Sequence, residues 1–280
     1  MRTLQATFLF VALVFHFCCD TCNTQLYINV RNQGGDILRE TITSNTTEDV
    51  ITLEFVRWDG TQVTQLIDFK NEVQVIKVLV LGEEERGQSQ VQIMCFVTHF
   101  DRIDFISSDA MAKLRQKNPG TIRIAEEDKG HTNYTMDLFL DIMQSGVISK
   151  HVSDLCLEAG DSTFTSSEDV KFWAQRPGST DGTLRIAVHN FTSAVPVPSS
   201  SDPLKIPIVI KCADTSNLWA PCTCSLELCI GWYPCGLKYC DTKGENKKPV
   251  SQYRCGIKTC KKCYKFSYYT KKKQNCLWDE

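Results

Sequence analysis

Ile51-Thr52-Leu53-Glu54-Phe55-Val56-Arg57-Trp58-Asp59-Gly60-Thr61 decides the fold class at the front of this chain. Apolar and polar residues alternate up to Val56, the period of a strand with one buried face. The Asp59-Gly60 pair then suits a tight hairpin turn into a second strand.

Working outward, the same alternation marks Leu26-Tyr27-Ile28-Asn29-Val30 and Val73 to Val78, and Val91 to Phe100 is rich in β-branched and aromatic residues. Helix signals are fewer. Ser107-Ser108-Asp109 offers an N-cap to Ala110–Lys117, good helix formers stopped at Asn118-Pro119. Val152–Leu157 and the serine-capped Ser167–Trp173 fit two more helices. The sum is an α+β fold, an antiparallel β-sheet with flanking helices.

The cysteines divide the chain. Of 15, Cys18, Cys19 and Cys22 lie in or beside an N-terminal leader. Cys95 and Cys156 stand apart in the middle. The other ten crowd into the tail: Cys212, Cys222, Cys224, Cys229, Cys235, Cys240, Cys255, Cys260, Cys263 and Cys276. Between the two regimes, residues 177–211 collect Pro177, Pro196, Pro198, Pro203, Pro207 and a serine run, which resists helix and central strand. They read as a linker with one short strand at Leu184–Val188. The expected organisation is 1–24 leader, 25–176 sheet domain, 177–211 linker and 212–280 small disulfide-rich C-terminal module.

Arg2 followed by the apolar run Phe8 to Phe17 reads as a signal peptide cleaved near Thr24; the rival is an uncleaved signal anchor, for which the apolar core is short. Cleavage would leave an even number of cysteines, as full pairing in an oxidising compartment requires. Asn45, Asn133 and Asn190 each head an N-glycosylation sequon. Together these features predict a secreted, extracellular glycoprotein with no stable membrane insertion after leader removal.

Charge is unevenly placed. From Cys212 onward 11 Lys and 1 Arg face 6 Asp or Glu, about +6, which leaves about −8 for the rest of a chain whose net charge is −2. Lys261, Lys262, Lys265, Lys271, Lys272 and Lys273 lie among tyrosines and are candidate contacts for a sulfated glycosaminoglycan; the plainer reading is a solvated charged face. Nucleic acid is not an expected target outside the cell. Zinc is a rival for the cysteine cluster, but all five histidines precede the tail and disulfides suit a module too small for a large core. Nucleophile-elbow, phosphate-loop and zinc-protease motifs are absent, and the pairs His99/Asp101 and His151/Asp154 lack a nucleophile, so no enzyme and no cofactor are expected. Glu83-Glu84-Glu85 reads as a solvated turn. In the tail, Tyr233-Pro234-Cys235-Gly236-Leu237-Lys238-Tyr239-Cys240 recurs 20 residues later as Tyr253-Arg254-Cys255-Gly256-Ile257-Lys258-Thr259-Cys260, suggesting two similar cysteine-anchored turns or hairpins.

Several strings resemble the out at first family of animals: Gly87-Gln88-Ser89-Gln90, Cys95-Phe96-Val97-Thr98, Ala110 to Pro119, Trp232-Tyr233-Pro234-Cys235 and Cys276-Leu277-Trp278-Asp279-Glu280. The front of that family is similar to a BRICHOS domain. Leu66-Ile67-Asp68-Phe69 matches its aliphatic-Asp-aromatic segment, Cys95-Phe96-Val97 and Leu155-Cys156 its two cysteines, and Ile106–Lys117 its first helix. The resemblance implies a sheet of about five strands between two helices, a Cys95–Cys156 disulfide and chaperone-like capture of strand-prone segments. The Cys-rich tail departs from the usual client peptide. Two functions follow as expectations: an extracellular interaction or signalling protein with an unknown extracellular protein partner, or a chaperone-like protein guarding clients or its own tail. With both sheet faces covered, Asp68 is expected to be buried. A partnerless buried carboxylate is costly to ionise, so Asp68 is a candidate pH-sensitive group; a solvent-facing strand end is the other reading.

Overall fold

The computed structural model describes residues 24–31, 35–83, 91–178, 181–190, 210–243 and 249–277. Residues 1–23 of the expected leader, Glu84-Glu85, and residues 179–180 and 191–209 of the expected linker lie outside them. Thirteen strands and four α-helices follow in order: β1 Thr24–Arg31, β2 Ile37–Asn45, β3 Val50–Val56, β4 Gln62–Asp68, β5 Val73–Val80, β6 Gln92–His99, α1 Ser108–Ala112, β7 Ile122–Arg123, β8 Glu127–Met136, β9 Leu138–Leu140, α2 Lys150–Cys156, β10 Thr163–Thr165, α3 Ser167–Ala174, α4 Asp181–Ala187, β11 Val188–Asn190, β12 Cys222–Lys243 and β13 Pro249–Thr270. The protein is mostly β-sheet with few helices.

Strands β1 to β6 form an antiparallel meander, each paired with its sequence neighbour. Short strands extend it on both sides to ten, in the order β11-β9-β10-β6-β5-β4-β3-β2-β1-β7. The turn at Asp59-Gly60 forms as expected: Gly60 has φ +81°, and Arg57 N–H donates to the Thr61 carbonyl at 2.9 Å. The sheet is larger than the five strands the resemblance implied, because β9, β10 and β11 dock beside β6.

A second sheet has the order β12-β13-β8. Its strands β12 and β13 are a hairpin of two 22-residue strands, and β8 joins β13 in parallel. This hairpin packs on one face of the large sheet. Ile28, Ile42, Leu53, Phe96 and Phe164 share a buried cluster with Leu226, Ile230, Trp232, Phe266 and Tyr268. The opposite face carries Val73, Val75 and Val97, which pack on Val152 of α2, Trp173 of α3 and Leu184 of α4. The tail is thus one layer of a three-layer structure.

Three expectations are corrected here. The helix over Ala110–Lys117 stops at Ala112. The Gln116 amide instead behaves like a strand partner of β1: its Oε1 accepts from Tyr27 N–H at 3.0 Å and its Nε2 donates to the Tyr27 carbonyl. The strand at Leu184–Val188 is mostly helix α4; Leu184 and Ala187, one turn apart, are the buried pair, and β11 then adds to β9. The two copies of the repeat are not separate hairpins. They face each other across one hairpin.

Candidate functional site

That antiparallel facing has a chemical result. Leu237 pairs with Ile257, Gly236 with Lys258 and Lys238 with Gly256. The first cysteine of each copy therefore meets the second of the other, giving Cys235–Cys260 and Cys240–Cys255. Cys229–Cys263 continues the cross-links, while Cys212–Cys222 and Cys224–Cys276 tie the flanking segments to the hairpin base. Cys95 on β6 bonds Cys156 at the end of α2. All 12 described cysteines are paired. Two groupings have metal-like proximity, Cys212/Cys224/Cys276 and His131/Glu227/Cys263, but every cysteine in them is in a disulfide and offers no thiolate.

The seam between hairpin and large sheet concentrates the remaining chemistry. At one end it is aromatic. Phe96 of β6 stacks on Phe266 of β13 at 4.3 Å, and Phe164 and Tyr268 close around them at 5.7 Å and 5.4 Å. In the middle it is polar. Gln65 Nε2 donates to Gln74 Oε1 at 2.9 Å, and the Tyr264 hydroxyl reaches the same oxygen at 3.4 Å. Burial pushes the Tyr264 hydroxyl well above its ordinary pKa, so it stays a donor. This small network fixes how β13 sits on β4 and β5, since sliding the hairpin would leave buried amides unpaired.

At the third position the seam holds a buried acid. Glu40 lies on the inward face of β2, 1 % exposed. Strand β12 bulges between Ile230 and Tyr233, which removes Gly231 and Trp232 from the ladder. The N–H groups of both donate to the Glu40 carboxyl instead. Burial outweighs those two bonds and pushes its pKa from 4.5 up to about 8. Its Oε2 is buried without a hydrogen-bond partner, which fits a neutral carboxyl. Gly231 is required by this close approach: a Cβ there would fall 2.8 Å from Val30 Cγ1. Sequence reading missed this pair. The available signal was a lone Glu between the inward-facing Leu38 and Ile42 of an alternating strand.

Charge runs along the rim. Lys238 meets Glu126 at 2.6 Å, Lys258 meets Glu127, Lys261 meets Asp128 at 2.9 Å and Lys262 meets Asp104 at 3.2 Å. Lys271 lies 3.6 Å from Asp161. The basic tail and acidic front of the sequence thus neutralise one another within the molecule. Of the other candidate polyanion contacts, Lys272 sits 4.6 Å over the Trp219 ring, Lys273 donates to the Thr215 carbonyl at 2.6 Å, and Lys265 is exposed. Lys262 and Lys271 are nine residues apart on an extended path, so the two lysine groups are separated by about 30 Å.

Asp68 is buried, 1 % exposed. Its carboxylate is well partnered, however. It accepts from Asn71 N–H at 2.9 Å, Asn71 Nδ2 at 2.7 Å and Ser149 Oγ at 2.6 Å. The partnerless condition behind a pH-sensitive role is not met. Asp68 instead ties the β4–β5 turn to the N-cap of α2. Among the sequon asparagines, Asn133 and Asn190 are exposed, on β8 and at the end of β11, while half-buried Asn45 accepts from Thr47 and Glu48 N–H groups in the β2–β3 turn.

The profile "Out at first" matches residues 24–173, and "Out at first, C-terminal" matches residues 211–280. The chain belongs to the Out at first family. It is 54 % identical over 266 residues to the "Out at first protein" of Drosophila virilis, covering 92 % of this chain and 83 % of that one. It is 52 % identical over 267 residues to the Drosophila melanogaster protein of the same name, of which it spans 52 %. No solved structure matches it. The two profiles meet at the seam: one covers β1 to β10 and nearly all of α3, the other the hairpin and its flanks.

Proposed function

We propose that this member of the family is a secreted, non-enzymatic glycoprotein that acts as an extracellular interaction or signalling protein. The observation that carries the reading is the pairing of all 12 described cysteines, five of the six bridges bracing one hairpin. Such a density suits an oxidising compartment and a rigid surface for recognition. No described helix is long and apolar enough to cross a membrane. The rim lysines face their own carboxylates, so a protein partner fits better than a sulfated polysaccharide. Proximity labelling on live cells with intact secreted protein tests this: enrichment of one receptor or matrix protein is expected. Capture that vanishes when glycosaminoglycans are enzymatically removed would reverse the preference.

A second reading draws on the seam. If the large sheet is BRICHOS-like and takes strand-prone clients, its own hairpin already occupies the aromatic face through the Phe96–Phe266 stack. The chaperone-like activity would then act in cis, on the tail, during secretion. Intact protein should not suppress aggregation of an added amyloidogenic peptide. Strong suppression at substoichiometric amounts would show that a face for clients in trans remains open.

A further inference from the structure

Beyond the bulge at Gly231, the far half of the hairpin stands off α1 and the β1–β7 edge and leaves a cavity of about 390 Å³. Leu26, Ile28 and buried Trp232 contribute to its lining, with Leu114, Leu237 and Ile257. Four cations complete it, Lys113, Arg115, Arg123 and Arg254, and no carboxylate does. Two of the four are already engaged. Lys113 pairs with Asp109 at 2.6 Å, and the Arg115 guanidinium donates to the Ala112 and Leu114 carbonyls. Arg123, half-buried, and Arg254, exposed, have no ion-pair partner among the described residues. Elsewhere along the seam several tail lysines meet acids. Here four cations line an apolar hollow.

We infer that this cavity binds a long-chain carboxylate, a free fatty acid, with its alkyl chain against Leu26, Ile28, Trp232, Leu237 and Ile257 and its head group at Arg123 and Arg254. The volume lies in the range of small-molecule sites. A protein partner would instead need about 800 Å² of complementary surface on this side. An inorganic anion would leave the apolar lining unused, whereas each buried methylene adds its transfer free energy. Arginine matches the planar carboxylate through paired N–H donors. The site is built jointly by the two halves of the chain, so occupancy would also brace the hairpin against the sheet.

The test uses intact, delipidated secreted protein. Binding is read by displacement of a dansyl-labelled fatty acid and by the shift in melting temperature. Palmitate should displace the probe at one site and raise the melting temperature. Hexadecanol should compete weakly and hexadecyltrimethylammonium least of all. Arg254→Glu and Arg123→Glu should each weaken palmitate about tenfold, the scale of one lost charge-assisted contact. Arg254→Lys, which keeps the charge but not the paired donors, should weaken palmitate less than Arg254→Glu does, which separates loss of charge from loss of fold. The inference is overturned if palmitate does not bind, if the charge reversals leave its affinity unchanged, or if the cationic amphiphile competes equally. It is overturned equally if anionic vesicles or an acidic apolar peptide bind at Arg254 while palmitate does not.

Discussion

The large sheet and the hairpin that covers it are held by different means. The sheet buries both faces: on β5, Val73 and Val75 meet the helices while Ile76, Val78 and Val80 meet the hairpin. It carries a single disulfide, Cys95–Cys156. The hairpin buries one face only. Leu226, Leu228, Ile230 and Phe266 point inward, while Ser225, Glu227, Lys265 and Ser267 face out. A two-stranded ribbon with one apolar face is marginal alone. Cross-links and docking supply what a second buried face supplies to the sheet. The hairpin therefore depends on the sheet more than the sheet depends on the hairpin.

The sharpest way to break that asymmetry is Phe266→Ala. Phe266 is fully buried and stacks on Phe96. Its loss should cost about 3–5 kcal/mol. Limited proteolysis should cut the β12–β13 region before the meander, and equal rates in both would mean that the two layers unfold as one. Removing a bridge in each region comes next. Cys95→Ala with Cys156→Ala opens a loop with a sequence separation of 61 and should cost about 4 kcal/mol. Cys240→Ala with Cys255→Ala opens one of 15 and should cost roughly 3 kcal/mol at most, because this distal bridge is not buried. Urea unfolding of the two double variants gives the ranking. The reverse order would place most of the constraint in the tip of the hairpin.

The same asymmetry explains what could be read from the sequence. Strands such as Ile51–Val56 announce themselves because one inward face and a short turn are local properties. Ser149 and Ser166 cap α2 and α3 by local hydrogen bonds, so those helices were also legible. The seam is not local. Strand β8 is polar in composition, Glu127-Asp128-Lys129-Gly130-His131, and becomes a strand only because β13 supplies its ladder. Lys113–Lys117 has helix propensity but is drawn off by the Tyr27 backbone. The lysines looked like a free basic patch because their carboxylates lie more than 100 residues away in most cases. The reciprocal pairing of the repeat followed from antiparallel facing, which the repeat alone does not specify.

Glu40 sharpens the comparison, since among the described residues it is the one acid fully buried between the two layers. Its folded pKa of about 8 lies above the ordinary 4.5. The folded state therefore holds a proton that the unfolded chain has already lost, and stability falls as pH rises from about 4.5 to 8. At roughly 1.4 kcal/mol per unit, the fall is on the order of 5 kcal/mol and levels off above pH 8. Glu40→Gln keeps an oxygen for the Gly231 and Trp232 N–H groups but cannot ionise. Its stability should be nearly flat from pH 5 to 8 and exceed wild type at pH 8, while at pH 5 the variant should be equal or weaker. Melts of both proteins across this range would show curves that cross. Parallel curves would mean that the seam admits water and Glu40 is ionised in the folded protein.

The rim ladder gives the smallest effect and the opposite slope. Glu126 and Glu127 are held below their usual range chiefly by hydrogen bonds from Lys238 and Lys258. Asp128 is held down first by the Gly130 N–H and then by Lys261. Depressed carboxylates contribute stability above their unfolded pKa, near 4, and that contribution is lost as pH falls through the folded value. All three are solvent-exposed, where ion pairs are screened and individually weak. Lys238→Gln, Lys258→Gln and Lys261→Gln together should leave the melting temperature within about 2 °C of wild type at neutral pH. The variant should also lose most of the wild-type response to added salt. A much larger drop would move the basis of hairpin docking from the aromatic seam to its charged edge. In that case Phe266→Ala would have to be the milder variant, and the two measurements together decide which contact holds the tail on the sheet.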